Sequence, residues 1–317
     1  MVLVCGTLLC PLAGCSDYLL QLEQNLINSK QPQVKPTEPT EPTEPSEPSV
    51  QPVDWDTDDD GTLSILAIGN SFSEDALQYV YEIATDLGIE KVVLGNIYKG
   101  GCSLQKHSEY MANDSGSYTY FYNDNGEWTK TYSYKASTAL ESRSWDYITL
   151  QQASGDSGYK TSYMGYLEQV VDYVKGKSIN KNVRLAWHMT WAYQQDSTHV
   201  NFAKYDNDQM TMYNAILAAV ESKIVPNENF AFIIPSGTAV QNSRTSSLGD
   251  TTTRDGFHLS YSYGRYLAGL MFVKTLTGQP LDDLSYKPKN VSEEEMRIAI
   301  ACVNAAAEKP FEATTIK

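Results

Sequence analysis

The sequence predicts an α/β fold: a three-layer α/β/α sandwich around a mainly parallel sheet, with a β-hairpin inserted into it. Three observations predict this. From Leu63 onward, short apolar runs alternate with amphipathic stretches, the rhythm of a parallel sheet wrapped by helices. Within that rhythm, "YTYFYNDNGEWTKTYSY" places Asn125-Gly126 between two aromatic-rich arms, the signal of a tight hairpin turn. The composition, 41% hydrophobic and 11% aromatic over 317 residues, is enough for one core of ordinary size and too little for a second large one.

In chain order, residues 1–14, "MVLVCGTLLCPLAG", carry no charge and are too short to span a bilayer, but they suit the apolar part of a signal peptide. They end in Leu12-Ala13-Gly14-Cys15, which resembles the lipobox of bacterial lipoproteins. The usual Lys or Arg ahead of the apolar run is missing. The resemblance implies that Cys15 is acylated, that membrane contact is through this lipid only, and that the protein is an exported, surface-exposed cell-envelope lipoprotein. Residues 15–60 are expected to form a disordered acidic linker: "QPQVKPTEPTEPTEPSEPSVQP" repeats Pro every third residue and has nothing to bury, so it should extend as a polyproline-like stalk. This stretch holds 11 Asp/Glu against 2 Lys, a balance of -9, which leaves only -6 of the total -15 for residues 61–317. The folded part is therefore mildly acidic, without the basic stripe that nucleic acid would require.

Asp56, Asp58, Asp60 and Gly61 match the first half of a calcium loop, but the twelfth position, which needs a bidentate Glu, is Ala67. No metal is expected. Strands are predicted at 63–68, 91–97, 145–150, 182–188 and 229–234, and helices at 73–87, 162–175, 208–223, 260–277 and 292–307. The last helix opens on Ser292 with Glu295 three residues on, a capping box. Cys102 and Cys302, 200 residues apart, read as two free buried thiols.

The chemistry centres on "ILAIGNSFSEDA", where Ser71 follows the first strand and precedes the first helix. In an open α/β sheet, ligands bind where strands end and helices begin, and helix N-termini present unpaired N–H groups. Ser71 could equally be a plain helix cap, with Ser73 and Asp75 beside it. What favours a nucleophile is "RDGFHLSYSYGRYLAGL", which sets Asp255 three residues before His258. A serine needs a base to take its proton, and an imidazole base works best when a carboxylate fixes its tautomer.

Gly69-Asn70-Ser71, Gly100-Gly101 after the second strand, a polar residue after the third, and Asp255-Gly256-Phe257-His258 together resemble the ordered blocks of the SGNH, or GDSL-like, hydrolases, over roughly residues 62–278. The closest likeness is to a branch of secreted bacterial proteins with a Gly-Asn-Ser-Phe-Ser nucleophile block. The resemblance implies a flavodoxin-like hydrolase domain over 61–317, with Ser71 as nucleophile, His258 as base and Asp255 as its orienter. It also implies an oxyanion held by the N–H groups of Ser71 and of Gly101 or Gly100. Where the superfamily has Asn in a Gly-x-Asn-Asp block, this chain has "LQQASGDSG". The expected side-chain donor is Gln152, similar to the solution in carbohydrate esterases with a Gln-Gly-Glu block, with Gln151 second. Gly155-Asp156-Ser157 spells the better-known nucleophile motif, but polar residues separate it from the strand and its order relative to the other blocks is wrong, so Ser157 is set aside.

Gln151, after the third strand, and His188, Trp191 and Tyr193, at the end of the fourth, are expected to bind substrate, since aromatic faces make good sugar platforms; ordinary strand-end packing of the fourth-strand residues is the equal alternative. No cofactor is expected. The expectation is an extracellular serine ester hydrolase that removes O-acetyl groups from a carbohydrate through an acyl-enzyme; the rival is a carbohydrate-binding surface lipoprotein on an inactive fold. The rival rests on two departures from the family blocks, Asn for Asp at position 70 and Gln for Asn after the third strand.

Overall fold

The structure, a computed structural model, describes residues 54–317. The segment expected to be a signal peptide at 1–14, Cys15 and the Pro-rich stretch lie outside the described residues. Seven strands form one sheet in the order β4-β3-β2-β1-β5-β6-β7: β1 (Thr62–Gly69), β2 (Lys91–Tyr98), β3 (Tyr118–Asn123), β4 (Thr129–Tyr134), β5 (Tyr147–Leu150), β6 (Arg184–His188) and β7 (Phe230–Ile234). Neighbours among β2, β1, β5, β6 and β7 pair parallel, while β3 and β4 add antiparallel at one edge. The hairpin is thus the predicted insertion, and the five parallel strands follow the flavodoxin-like order, with a topological switch between β1 and β5. All eight residues of β1 are buried, as a central strand covered on both faces must be.

The helices are α1 (Ser71–Leu77), α2 (Val80–Asp86), α3 (Leu104–Ala112), α4 (Ala136–Leu140), α5 (Tyr166–Lys177), α6 (Gln209–Lys223), α7 (Ser236–Arg244), α8 (Tyr263–Thr277) and α9 (Glu293–Glu308). In α8 only Arg265, Lys274 and Thr275 escape burial, so this helix packs on all sides. The capping box of α9 forms as the sequence indicates, Ser292 accepting from Glu295 N and Glu295 accepting in return from Ser292 N. Cys102 and Cys302 are free and buried, and burial raises both thiols to about 12.

Two expectations need correction. The single helix at 73–87 is two helices, broken at Gln78–Tyr79. The cause is tertiary: the Tyr79 hydroxyl donates to Tyr261 O at 2.8 Å, and the Gln78 carbonyl takes the Trp128 indole N–H at 3.5 Å. Helices α3, α4 and α7 are also absent from the expected set, and α7 is hidden because "SGTAVQNSR" has the composition of a loop. Most of it is buried, and its polar side chains find partners: Thr238 Oγ1 donates to Pro310 O, Asn242 Nδ2 to Cys302 O, and Ser243 pairs with the Tyr263 hydroxyl.

Candidate active site

A cleft opens over the carboxyl ends of β1, β2 and β5, beside the switch point, and Ser71, Gly100, Gly101 and His258 line it. Ser71 is the first residue of α1 and is not itself the cap. Asn70 is: its Oδ1 accepts from Phe72 N at 3.0 Å, so the Ser71 hydroxyl is free of capping duty. Ser71 Oγ instead meets His258 Nε2 at 2.8 Å, and His258 Nδ1 meets Asp255 Oδ2 at 2.7 Å. The other oxygen of Asp255 accepts the main-chain N–H groups of His258 and Phe257, at 2.8 and 3.2 Å. Burial by itself would raise the Asp255 carboxyl, but these hydrogen bonds outweigh it and hold the group below its ordinary range. With Nδ1 bonded to a carboxylate, Nε2 is left as the acceptor facing the serine.

The Asn in Gly-Asn-Ser has a use that an Asp could not serve. Its Nδ2 donates to Cys102 O at 3.1 Å, tying the start of α1 to the Gly100-Gly101-Cys102 turn. Gly101 sits at φ 63°, a conformation that disfavours side chains. In that turn Lys99 N and Cys102 N are used, on Gly69 O and Lys99 O, whereas Gly100 N and Gly101 N take no main-chain acceptor among the described turns.

Beneath the cleft runs a chain of buried amides. Burial lowers His188 to about 3, so its neutral ring gives Nδ1–H to Gln151 Oε1 at 3.1 Å; Gln151 Nε2 donates to Asn70 Oδ1 at 2.9 Å. The absence of a side chain at Gly69 is needed here, since a Cβ would lie 2.9 Å from the Gln151 amide carbon and 2.7 Å from Ser73 Oγ. His188 and Gln151 are therefore supports under the nucleophile and not substrate contacts, which corrects the expectation. Trp191 and Tyr193 are also fully buried. Trp191 stacks on Phe72 at 4.2 Å and gives its indole N–H to Phe257 O at 2.7 Å, bracing the residue before His258; Tyr193 pairs with Ser154 Oγ at 2.8 Å. Neither offers a face to a sugar.

Gln152 is likewise corrected as an oxyanion donor. Its amide nitrogen donates to Ser162 O and Ser162 Oγ, while its Oε1 accepts from Leu104 N and Ala153 N. All its capacity goes into holding the β5 exit against the start of α3. Gln152→Ala should therefore lower stability by about 1–3 kcal/mol, the cost of orphaned buried donors, and leave turnover of the folded protein far above the 10²- to 10³-fold loss expected for an oxyanion donor. Urea unfolding alongside kcat measured below the transition checks both parts. Ser157 is 2% exposed and donates to Ser154 O within its own turn, so setting it aside as a nucleophile stands.

Residues that the sequence did not single out also line the cleft: Tyr98, Ser154, His199, Asn201, Arg254 and Phe257. Tyr98 precedes the glycine pair, Arg254 precedes the Asp255-His258 block and Phe257 lies inside it, so proximity in sequence was the available signal for these three. Asp75 had been weighed only as a capping residue. It is 1% exposed and anchors the histidine loop: its carboxylate takes Arg254 at 3.0 Å, Arg265 at 2.7 Å and Leu259 N at 2.9 Å. Removing one member of a buried ion-pair network typically costs about 3–5 kcal/mol, because it leaves uncompensated charge. Asp75→Ala should lose that much in denaturant unfolding, and a loss below about 1 kcal/mol would show that Arg254 and Arg265 do not depend on it.

Asp56, Asp58 and Asp60 bring one carboxylate oxygen each within 4.8 Å of one another at the start of the described residues, with Asp56 also accepting from Asp60 N and Gly61 N.

A family model described as "Domain of unknown function (DUF4886)" matches residues 64–307. The crystal structure of a DUF4886 family protein from Bacteroides uniformis superposes with a TM-score of 0.77 at 38% identity, covering 80% of this chain and 98% of that one. A protein from Slackia heliotrinireducens, provisionally described as an SGNH hydrolase, aligns with a TM-score of 0.45 at 18% identity over 68% of this chain and 99% of its own. A catalytic mutant of Axe2, an acetylxylan esterase from Geobacillus stearothermophilus, aligns with a TM-score of 0.39 at 11% identity over 70% of this chain and 94% of its own. Neither of these two distant likenesses bears on the chemistry. No protein of curated function matches the chain.

Proposed function

Because this chain belongs to the DUF4886 family, whose description assigns no chemistry, the site itself must supply the reading, and we propose that it is a serine ester hydrolase of the SGNH type. The observation that carries this is the unbroken relay Ser71–His258–Asp255, with contacts of 2.8 and 2.7 Å, at the rim of an open cleft. His258 Nε2 takes the proton as Ser71 Oγ attacks the ester carbonyl, and returns it to the leaving alcohol. Water then repeats the sequence on the acyl-serine, regenerating the free hydroxyl. The negative oxygen formed at each attack is held by the N–H of Ser71 at the start of α1 and by that of Gly101 or Gly100, with no side-chain amide assigned to it.

The substrate we propose is a small acyl ester, acetyl in the first instance, on a carbohydrate. The cleft supports this by what lines it: Tyr98, Asp156, His199, Asn201 and Arg254 set polar groups around the serine, where a long acyl tail would need continuous apolar wall. On the strength of residues 1–15 and the Pro-rich stretch after them, the enzyme would work outside the cytoplasm on a lipid tether. Residues 54–317 should release nitrophenol from 4-nitrophenyl acetate faster than from the octanoyl ester, and acetate from acetylated glycans. Absence of all hydrolysis alongside retained glycan binding would support the binding-protein rival instead.

A further inference from the structure

Beside the catalytic cleft lies a second cavity of about 140 Å³, between α1, β2 and the inserted hairpin, lined by Glu74, Leu77, Asn96, Phe121, Trp128 and Lys130 among others. Resting on the esterase reading above, we propose that this cavity is a subsite for one pyranose ring, the unit next to the sugar that carries the ester, so that the enzyme selects acetylated oligosaccharides over single acetylated sugars.

Three observations carry it. First, the two spaces adjoin: Glu74 lines both, and Tyr98 of the cleft packs edge-on against Phe121 of the cavity with centroids 5.2 Å apart. Second, Asn96 is 1% exposed and lines the cavity, and its Oδ1 lies 3.0 Å from Ser73 Oγ, whose proton goes to Asn70 O at 2.7 Å, so the protein uses the Asn96 side-chain amide only in part. A buried amide at a cavity wall with hydrogen-bonding capacity to spare suits a sugar hydroxyl. Third, the lining is mixed in the way a sugar ring requires. Phe121 and Trp128 provide aromatic surface for C–H groups, while Glu74, Asn96 and Lys130, whose Nζ sits 5.1 Å from the Phe121 centroid, provide charged and polar groups for hydroxyls. A cavity of about this size holds one six-membered ring. Trp128 and Lys130 come from the hairpin, so the insertion that departs from a bare five-stranded fold is what builds the subsite.

The test uses Trp128→Ala and Asn96→Asp; the second keeps the shape while removing the amide donor. Substrates are 4-nitrophenyl acetate, 4-nitrophenyl octanoate and mono-acetylated xylotriose, cellotriose and chitotriose. The expected result is a KM about tenfold higher on at least one trisaccharide for Trp128→Ala, with kcat/KM on nitrophenyl acetate changed less than twofold. Equal losses on the acetate and the trisaccharides, or no loss on any, would overturn the subsite; so would a loss confined to the octanoate, which would make the cavity an acyl pocket. If the wild type hydrolyses none of these esters, the esterase reading fails separately and calorimetry decides the subsite. Binding of an acetylated trisaccharide to Ser71→Ala at least fivefold tighter than to Ser71→Ala/Trp128→Ala upholds it; equal affinity, or none, rejects it.

Discussion

Ser71→Ala is expected to lower kcat on 4-nitrophenyl acetate by about 10⁶-fold, the scale measured when the nucleophile is removed from another serine hydrolase, while the protein stays folded. The two halves of that expectation come from one geometry. Ser71 Oγ is bonded to His258 Nε2 and supports nothing else, because Asn70 performs the capping that a serine at a helix start usually performs. Losing the hydroxyl therefore removes the attacking group and leaves α1 capped. Ser157→Ala is the matched control: its hydroxyl sits in a buried turn, and its removal should cost about 1 kcal/mol of stability and no turnover. A fluorophosphonate should add its mass to the peptide that holds Ser71 and to no other, and the addition should fail in His258→Ala. Turnover that survives in Ser71→Ala and vanishes in Ser157→Ala would remove the proposed mechanism altogether.

The parts of this site that were legible in the sequence share a property: their chemistry is local. A serine at a strand-to-helix junction and an Asp three residues before a His each state their business within one turn, and the structure joins them over 187 residues. The parallel strands were legible for a similar reason, since burial on both faces writes itself into consecutive apolar residues. What the sequence concealed is burial of polar groups. Gln151, Gln152 and His188 look like cleft-facing groups and α7 like a loop, and only the partners supplied by distant segments make them, and most of α7, interior. The same blindness misled the reading of Trp191 and Tyr193. An aromatic near a strand end looks the same in sequence whether it faces a ligand or, as here, braces the backbone of Phe257 and the hydroxyl of Ser154. Asp75 was in plain view and undervalued, because nothing local announces that Arg254 and Arg265 both converge on it.

Asp255→Asn is expected to lower kcat by about 10⁴-fold, the scale known for this change in another serine hydrolase, although Asp255 touches neither the serine nor the space above it. An amide at this position can offer its N–H₂ to His258 Nδ1, which stabilises the tautomer with the proton on Nε2, the nitrogen that must accept from Ser71. The pH dependence follows from the same contact. Hydrogen bonds hold the Asp255 carboxyl below its ordinary range, so it remains a carboxylate where an ordinary aspartate begins to take up a proton. Protonation of Asp255 should accordingly cost activity only at pH values below the ordinary carboxylate range, with the rate recovering as pH rises. The linkage to stability has a matching sign: a carboxyl lowered in the folded state contributes above its unfolded ionisation, and that contribution is lost as pH falls through the lowered value. Asp255→Asn should therefore flatten the acid limb of the stability curve, measured by denaturant unfolding across pH. A variant that kept kcat within tenfold would show that the orienting carboxylate lies elsewhere, or that Ser71 and His258 act as a dyad.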